Sequence, residues 1–322
     1  MYKIYDKWSQ IAEESFESKQ DVIDFNNVDH IVFAGMGGSG AIGDILASIL
    51  SKTKIHVNVV KGYLLPQTID SNTLIVTISV SGNTAETMSV LDSANKMDGK
   101  IIAFSSGGRM QQYCTKNIIE YRNVPQYHSP RASLPSYLYT ILKVLHSIFD
   151  IKQNDVIESI KKLEKLNRNI SSSNLAEDNQ SLNLAKWISG IPMIYYPYGL
   201  QAAAIRFKNS LQENGKIHAI AEDVIESCHN GIVSWEKPSN VQPILIQGQD
   251  DYIKTKERLE ILKKYFDINK ILYKEIFSVK GNILTKLINL IYLFDYATIY
   301  HAVLNKIDPS PIKSIDFIKS RL

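Results

Sequence analysis

The strongest constraint on the fold of this chain is the alternation of short apolar runs with longer amphipathic segments. In the first half, the apolar runs are predicted to be strands and the amphipathic segments helices. The predicted strands cover residues 30–34, 55–60, 74–79, 101–104 and 118–121, and the predicted helices cover residues 7–24, 41–50, 89–97 and 134–148. Strands that alternate with helices in this way form a parallel sheet with helices on both faces. The sequence therefore predicts an α/β fold.

The second half repeats this alternation after a polar stretch at residues 150–183. Its predicted strands cover residues 192–196, 241–246 and 271–277, and its predicted helices cover residues 201–213, 255–265 and 284–304. We therefore expect two domains, residues 1–150 and 151–322, each a parallel sheet flanked by helices. The second domain is expected to end in a short helical tail.

Composition excludes several classes of protein. The 322 residues are 44% hydrophobic and 21% charged, which excludes a disordered or fibrous chain. With 36 Lys and Arg against 33 Asp and Glu, the net charge of +3 favours neither nucleic acid nor a membrane surface as a partner. The two cysteines, Cys114 and Cys228, fit a reducing compartment. Because no apolar run reaches about 18 residues and the first residues do not resemble a signal peptide, we expect a cytoplasmic protein with a small partner.

Two turns between a strand and a helix are candidate phosphate sites. The first contains Gly37, Gly38 and Ser39, and the second contains Ser79, Ser81 and Thr84 around Gly82. Such turns offer free N–H groups, hydroxyls and the positive end of a helix dipole, although an ordinary helix cap has the same composition. The first and third strands of such a sheet are commonly neighbours, so the two turns are expected to face one crevice. Together they indicate a phosphomonoester ligand.

The first turn also matches the dinucleotide fingerprint, as Gly35-x-Gly37-x-x-Gly40. That fingerprint requires an acidic residue at the end of the second strand, whereas this sequence has Val59-Val60-Lys61. A nicotinamide cofactor is thus disfavoured, with Lys61 leaving open only the 2′-phosphate form. No lysine of the nucleotide-binding P-loop follows Gly40, which disfavours a nucleoside triphosphate.

These residues resemble a known family. Residues 35–40 and the run Ser79-x-Ser81-Gly82-Asn83-Thr84-x-Glu86-Thr87 are similar to the sugar isomerase domain. Further runs resemble the archaeal-type bifunctional phosphoglucose/phosphomannose isomerases, and they are Ser129-Pro130-Arg131-Ala132-x-Leu134-Pro135, Glu213-Asn214-x-Lys216, His229-Asn230 and Ile315-Asp316-x-x-Lys319. The resemblance implies two sugar isomerase domains, a homodimer with its active site near the interface, and interconversion of an aldose 6-phosphate with fructose 6-phosphate. It implies no metal and no organic cofactor.

The resemblance also implies roles for single residues. Aldose–ketose isomerisation moves a proton between C1 and C2 through a cis-enediol(ate), which requires a base, a group that opens the ring and a positive charge. Glu213 is the candidate base and His229 the candidate for ring opening, with Lys319 assisting from the tail. Arg131 would place a fixed cation near the enediolate.

The sequence departs from the family pattern at two places. Some relatives carry a threonine seven positions before the tail lysine, which is associated with the mannose epimer, and this chain has Ile312 there. Glucose 6-phosphate activity is therefore implied more directly than mannose 6-phosphate activity. His218, close after the Glu213 run, has no assigned role.

Two alternatives to an isomerase remain open. A non-catalytic sugar-phosphate sensor would keep both turns without needing Glu213, His229 or Lys319, and it would usually carry a DNA-binding segment, for which the N-terminal 25 residues are too short and too acidic. An aminosugar-phosphate deaminase or synthase would need a glutamine-hydrolysing domain or a cysteine nucleophile near the start.

Overall fold

The computed structural model describes residues 1–321, which form two compact units. The N-terminal unit comprises Lys7–Ile160, and the C-terminal unit comprises Met1–Asp6 together with the chain from Lys161 onward. This division lies inside the helix Gln153–Ile170. The domain boundary near residue 150, which was inferred from a change in composition, stays a prediction.

The described residues contain helices α1–α14 and strands β1–β9. The helices are α1 (Tyr2–Tyr5), α2 (Trp8–Phe16), α3 (Gly37–Leu50), α4 (Ala85–Ala94), α5 (Gly108–Asn117), α6 (Leu134–Val144), α7 (His146–Phe149), α8 (Gln153–Ile170), α9 (Gln180–Trp187), α10 (Gln201–Ser210), α11 (Val224–Ser227), α12 (Ile253–Ile268), α13 (Ile283–Leu304) and α14 (Lys313–Lys319). The strands are β1 (His30–Ala34), β2 (His56–Val60), β3 (Thr73–Ser79), β4 (Lys100–Ser105), β5 (Glu120–Asn123), β6 (Ile191–Tyr196), β7 (Ile220–Asp223), β8 (Val241–Gln247) and β9 (Lys274–Phe277).

The N-terminal unit is built on a parallel sheet with the strand order β2-β1-β3-β4-β5. The central strands β1 and β3 are buried along their whole length, whereas the edge strands β2 and β5 are partly exposed. β1 pairs with β3 in the register Ala34 to Thr77, so the carboxyl ends of these two strands lie side by side. The order reverses between them, which is where open α/β sheets bind ligands.

The C-terminal unit has a parallel sheet with the order β7-β6-β8-β9. This is the order of the first four strands of the N-terminal sheet, which agrees with the repeated pattern in the sequence. The predicted fold class, two parallel sheets flanked by helices with a helical tail, is confirmed.

The central helix of the C-terminal unit is α13. By length and composition this helix could cross a membrane, but 89% of its most apolar window is buried inside the unit. Such burial is what the core helix of a folded domain shows. Its polar residues include Asp295 and Thr298, both fully buried.

The first six residues of the chain belong to the C-terminal unit. The Asp6 carboxylate accepts hydrogen bonds from the Tyr296 hydroxyl and from the Ser172 hydroxyl, the latter at 2.7 Å. The Tyr292 hydroxyl donates to the Tyr5 carbonyl at 2.6 Å. This segment is therefore fastened to α13 by buried polar contacts.

Several helix predictions differ from the structure, including the predicted helix 89–97, which is α4 at Ala85–Ala94. The N-terminal helix stops at Phe16 instead of residue 24, and Val22 beyond it is 48% exposed. The predicted helix 134–148 is interrupted at Leu145, which separates α6 from α7. The predicted helix 201–213 is α-helical only to Ser210 and continues as a π-helical turn, Leu211–Gly215.

Candidate active site

The glycine-rich turn after β1 forms the first turn of α3. The helix begins at Gly37 rather than at Ala41, and Gly37 itself has φ 53°, in the left-handed region that favours glycine. The Ser39 and Gly40 amides donate to the Met36 carbonyl, and no side chain caps this end of the helix. The first N–H groups of a helix lack intrahelical acceptors, so this end can present them to an anion.

The two candidate phosphate turns lie together, as the strand order predicted. Ser39 is buried, and its hydroxyl accepts a hydrogen bond from the Val80 amide at 3.4 Å. Val80 follows Ser79 at the end of β3, so the Ser39 hydroxyl lies against the second turn. The neighbouring position of the turns, inferred from the order of the strands, is thereby confirmed.

The second turn leads directly into α4, which begins at Ala85. Thr84 is its N-cap residue, but the Thr84 hydroxyl bonds to the Ser79 hydroxyl at 3.0 Å instead of capping the helix. The exposed Ser81 hydroxyl accepts from the Asn83 amide at 3.3 Å. The first turn of α4 therefore keeps its N–H groups uncapped by a side chain, beside three hydroxyls, which is an arrangement suited to a phosphate.

A third turn, which was not predicted from the sequence, packs against the second. It connects β4 to α5 through Ser106 and Gly107, and the Ser106 hydroxyl donates to the Val80 carbonyl at 2.7 Å. A Cβ atom on Gly82, whose φ is 66°, would lie 1.8 Å from the Gly107 carbonyl oxygen. The two turns are thus packed backbone to backbone, and only glycine fits at position 82.

Arg131 lies next to the first phosphate turn. The residue is only 6% exposed, and the carbonyl oxygen of the preceding Pro130 would be 3.3 Å from a Cβ atom placed on Gly38. The Ser133 hydroxyl fixes this loop by donating to the Ser129 carbonyl at 2.9 Å. The six predicted phosphate-site residues and Arg131 therefore lie together at the carboxyl end of the N-terminal sheet.

Glu213 lies in the C-terminal unit, on the π-helical turn that follows α10. Its side chain is half-buried, whereas the next residue, Asn214, is fully buried. The π-helical turn ends at Gly215, and Lys216 directly after it is in the left-handed conformation with φ 55°. A π-helical turn often marks a functional site, since its wider ring is kept only where tertiary contacts stabilise it.

Lys216 joins the turn that carries Glu213 to the C-terminal tail. Its ammonium group donates to the Glu213 carbonyl and, at 2.7 Å, to the Pro311 carbonyl. The tail continues into α14, whose last residue is Lys319. Lys319 is exposed, and none of the α14 residues is buried.

His229 is exposed and follows the short helix α11. The Asp223 carboxylate caps that helix by accepting from the Ile225 amide at 2.8 Å. Burial raises the pKa of the adjacent Glu222 carboxyl, and the negative charges of Glu226 and Asp223 raise it further. The segment that carries His229 is therefore preceded by a group of carboxylates.

The structure also bears on a dinucleotide cofactor, a cysteine nucleophile and a metal ion as alternatives. Lys61, which had left a 2′-phosphate open, forms an ion pair with Asp44 at 2.5 Å. Burial raises the pKa of the Cys114 thiol to about 11, so this cysteine is protonated at neutral pH and is a poor nucleophile. Within residues 1–321, no group of three His, Cys, Asp or Glu side chains could hold a metal ion.

Comparisons with known proteins agree with the fold. Residues 24–140 match the SIS domain, and residues 177–322 match the bacterial phospho-glucose isomerase C-terminal SIS domain. The chain is 31% identical to the bifunctional phosphoglucose/phosphomannose isomerase of Caldicellulosiruptor bescii, over 92% of this chain and 90% of that protein. It is 28% identical to the D-glucosamine-6-phosphate 4-epimerase of Sulfolobus acidocaldarius, over 76% of this chain and 77% of that protein.

A solved structure of a hypothetical protein from Thermus thermophilus superposes with a TM-score of 0.77 at 14% identity, covering 98% of this chain and 89% of that one. This likeness concerns the fold alone. The family relationship follows from the sequence identity that extends over nine-tenths of both chains. The chain therefore belongs to the SIS-domain family of bifunctional phosphoglucose/phosphomannose isomerases.

Proposed function

We propose that this protein is an isomerase that interconverts glucose 6-phosphate, and also mannose 6-phosphate, with fructose 6-phosphate. The observation that carries the proposal is the pair of adjacent turns, joined at Ser39 and Val80, in a chain that matches the isomerase family along its length. The turns would hold the 6-phosphate through N–H groups and hydroxyls. We further propose that the protein is a cytoplasmic homodimer.

The proposed chemistry uses Glu213 as the base. In the open-chain aldose, the Glu213 carboxylate removes the proton from C2, the electrons form the C1–C2 double bond, and negative charge develops on the C1 oxygen. The Arg131 guanidinium would stabilise that charge. The proton of the C2 hydroxyl moves to the C1 oxygen, and Glu213 returns its proton to C1 as the C2 carbonyl forms, which gives the ketose. His229, assisted by Lys319, would move a proton between the ring oxygen and the anomeric hydroxyl to open the ring.

The direct test is a coupled assay that measures fructose 6-phosphate formed from glucose 6-phosphate and, separately, from mannose 6-phosphate. Turnover of glucose 6-phosphate supports the proposal. Binding of fructose 6-phosphate without turnover of either aldose would show a sensor instead. The same preparation should be assayed for epimerisation of glucosamine 6-phosphate, because a relative of similar identity is named for that reaction.

Replacing Ser81 and Thr84 together with alanine is expected to raise KM for fructose 6-phosphate about 100-fold. Each hydroxyl would lose a hydrogen bond to a charged group, which contributes about 1.5–3 kcal/mol. The value of kcat should change little, because the phosphate is held alike in the ground and transition states. Steady-state kinetics check this result, with Ser89→Ala on the exposed side of α4 as the control. A loss confined to kcat would contradict the phosphate assignment.

Replacing Ile312 with threonine is expected to raise the ratio of kcat/KM for mannose 6-phosphate over glucose 6-phosphate about 10-fold. Ile312 is half-buried directly before α14, and a hydroxyl there could bond to the epimeric sugar hydroxyl. Parallel kinetics with both aldoses measure the ratio. Ile307→Thr, a half-buried site earlier in the tail, is the matched control and should leave the ratio unchanged. An unchanged ratio in Ile312→Thr would remove position 312 from the specificity determinants.

A further inference from the structure

The π-helical turn that carries Glu213 is fastened to α13 by a line of buried polar contacts. Arg206, Ser210 and Asn214 follow one another at intervals of four residues, so they lie along one side of α10 and its continuation. Asp295 and Thr298 are three residues apart on α13. All five residues are at most 3% exposed.

The first contact is an ion pair. The Arg206 guanidinium donates to one Asp295 carboxylate oxygen, at 2.6 Å from Nη2 and 3.2 Å from Nε. The Ser210 hydroxyl donates to the other oxygen at 2.7 Å. Removing one partner of such a buried pair is strongly destabilising, because the remaining charge is then uncompensated in a poorly polarisable interior.

Arg206 is also coupled electrostatically to Glu213. Burial lowers the pKa of this guanidinium. The charge of Asp295 raises the pKa, with smaller contributions from the charge of Tyr5, the hydrogen bond to Asp295 and the charge of Glu213, and together these effects bring it above its ordinary value. The Arg206 cation therefore interacts with two carboxylates, of which Asp295 is the closely bonded one. Neutralisation by Asp295 limits the attraction of Arg206 for Glu213.

The second contact lies directly beside Glu213. The Asn214 side-chain amide donates to the Thr298 hydroxyl at 2.8 Å, and that hydroxyl donates to the Asp295 carbonyl at 2.7 Å. A Cβ atom on the next residue, Gly215, would lie 3.2 Å from the His301 ring. The backbone on the C-terminal side of Glu213 is thus held against α13 for two successive residues.

We infer that Thr298 and Asp295 are positioning residues of the proposed isomerase, which act on Glu213 through Asn214 and Arg206. This inference rests on the proposed function for its catalytic consequence. A π-helical turn is rare and occurs mostly as a single turn inside a helix, frequently at a functional site. Without the Thr298 hydroxyl, the turn relaxes and Glu213 leaves the position required for proton transfer.

The test compares Thr298→Val with Thr298→Ser. Valine replaces the hydroxyl with a methyl group of similar size, and serine keeps the hydroxyl. We expect Thr298→Val to lower kcat about 10- to 100-fold with KM for fructose 6-phosphate within about 2-fold, since a displacement of about 1 Å can cost 10²-fold in rate. Thr298→Ser should keep kcat within about 3-fold of the wild type. Should Thr298→Val not fold, Thr298→Ala removes the same hydroxyl with less crowding.

A stability control distinguishes a positioning role of Thr298 from a purely structural one. Leu163→Ala, a fully buried site on α8 in the same unit, should lower the melting temperature without lowering kcat per folded molecule. If Thr298→Val loses melting temperature but keeps its kcat, the positioning role is overturned. If serine and valine lower kcat equally, the hydroxyl is not the group responsible.

Hydrogen exchange tests the contact independently of catalysis. The peptide that covers residues 206–218 should exchange faster in Thr298→Val than in the wild type, and at the wild-type rate in Thr298→Ser. Unchanged exchange in Thr298→Val would overturn the inference whatever the activity. If exchange is faster in Thr298→Val but the wild type isomerises neither aldose, the contact of Thr298 with the turn is supported and the proposed function is rejected.

Discussion

Replacing Glu213 with glutamine is expected to lower kcat for glucose 6-phosphate isomerisation about 10³-fold. Glutamine keeps the size of the side chain but cannot accept the C2 proton, and a positioned general base contributes about 10²–10⁴-fold. The affinity for fructose 6-phosphate should persist, because the proposed phosphate contacts do not involve Glu213. The measurement is the coupled assay, combined with the washout of deuterium from C2 of the labelled aldose.

The control for this variant is Glu257→Gln, which removes an exposed carboxylate on α12. It should retain wild-type kcat. Glu213→Asp adds a second comparison, since it keeps the carboxylate but shortens the side chain, and it should show intermediate activity. Full activity in Glu213→Gln would falsify the assignment of the base while leaving the family relationship intact.

Replacing Gly82 with alanine is expected to destabilise the N-terminal unit by about 2–4 kcal/mol. Part of this cost is the left-handed backbone, with φ 66°, which disfavours any residue with a Cβ atom. The rest comes from the clash with the Gly107 carbonyl oxygen, since a Cβ atom at 1.8 Å forces the turn after β4 to move. Thermal unfolding measures the loss.

The same substitution should raise KM for fructose 6-phosphate at least about 10-fold, because the movement reaches Ser81 and Thr84. Gly62→Ala is a matched control in the same unit, where an added Cβ atom has no neighbour within 4 Å and φ is not in the left-handed region. It should leave both the melting temperature and KM unchanged. If Gly82→Ala behaves like Gly62→Ala, the packing of the two turns has no bearing on binding.

The buried strands could be predicted closely from the sequence. β1 has the predicted bounds, because five apolar or half-apolar residues are followed at once by glycine. β3 begins one residue earlier than predicted, and β4 is one residue longer than predicted at each end. The neighbouring position of Ser39 and the second turn also followed from the sequence, since strand order in parallel sheets obeys general rules.

The elements that were missed have weak local signals. α5 is a polar helix in which only Met110 and Cys114 are buried, so its apolar periodicity is faint. β7 is a four-residue edge strand that contains two acidic residues, Glu222 and Asp223. Both elements are stabilised by the sheet beside them rather than by their own composition.

The support of Glu213 could not be located from local sequence. The contacts of Asn214 and Ser210 with α13 join residues that are more than 80 positions apart. One signal was available, since Asp295 is the one acidic residue of the long helix α13 and such residues are rarely buried without a partner. Pairing it with Arg206 required the three-dimensional structure.

The attachment of Met1–Asp6 to the C-terminal unit has a consequence for the order of events during synthesis. The Tyr5 hydroxyl lies 3.4 Å from the Asp295 carboxylate, although 290 positions separate the two residues along the chain. A ribosome must therefore make nearly the whole polypeptide before its earliest residues find their partners. Until Tyr5 reaches α13, the Asp295 carboxylate and the Tyr292 hydroxyl on that helix each lack one hydrogen-bond partner. A fragment that starts at residue 161 would lack the contacts of Tyr5 with α13.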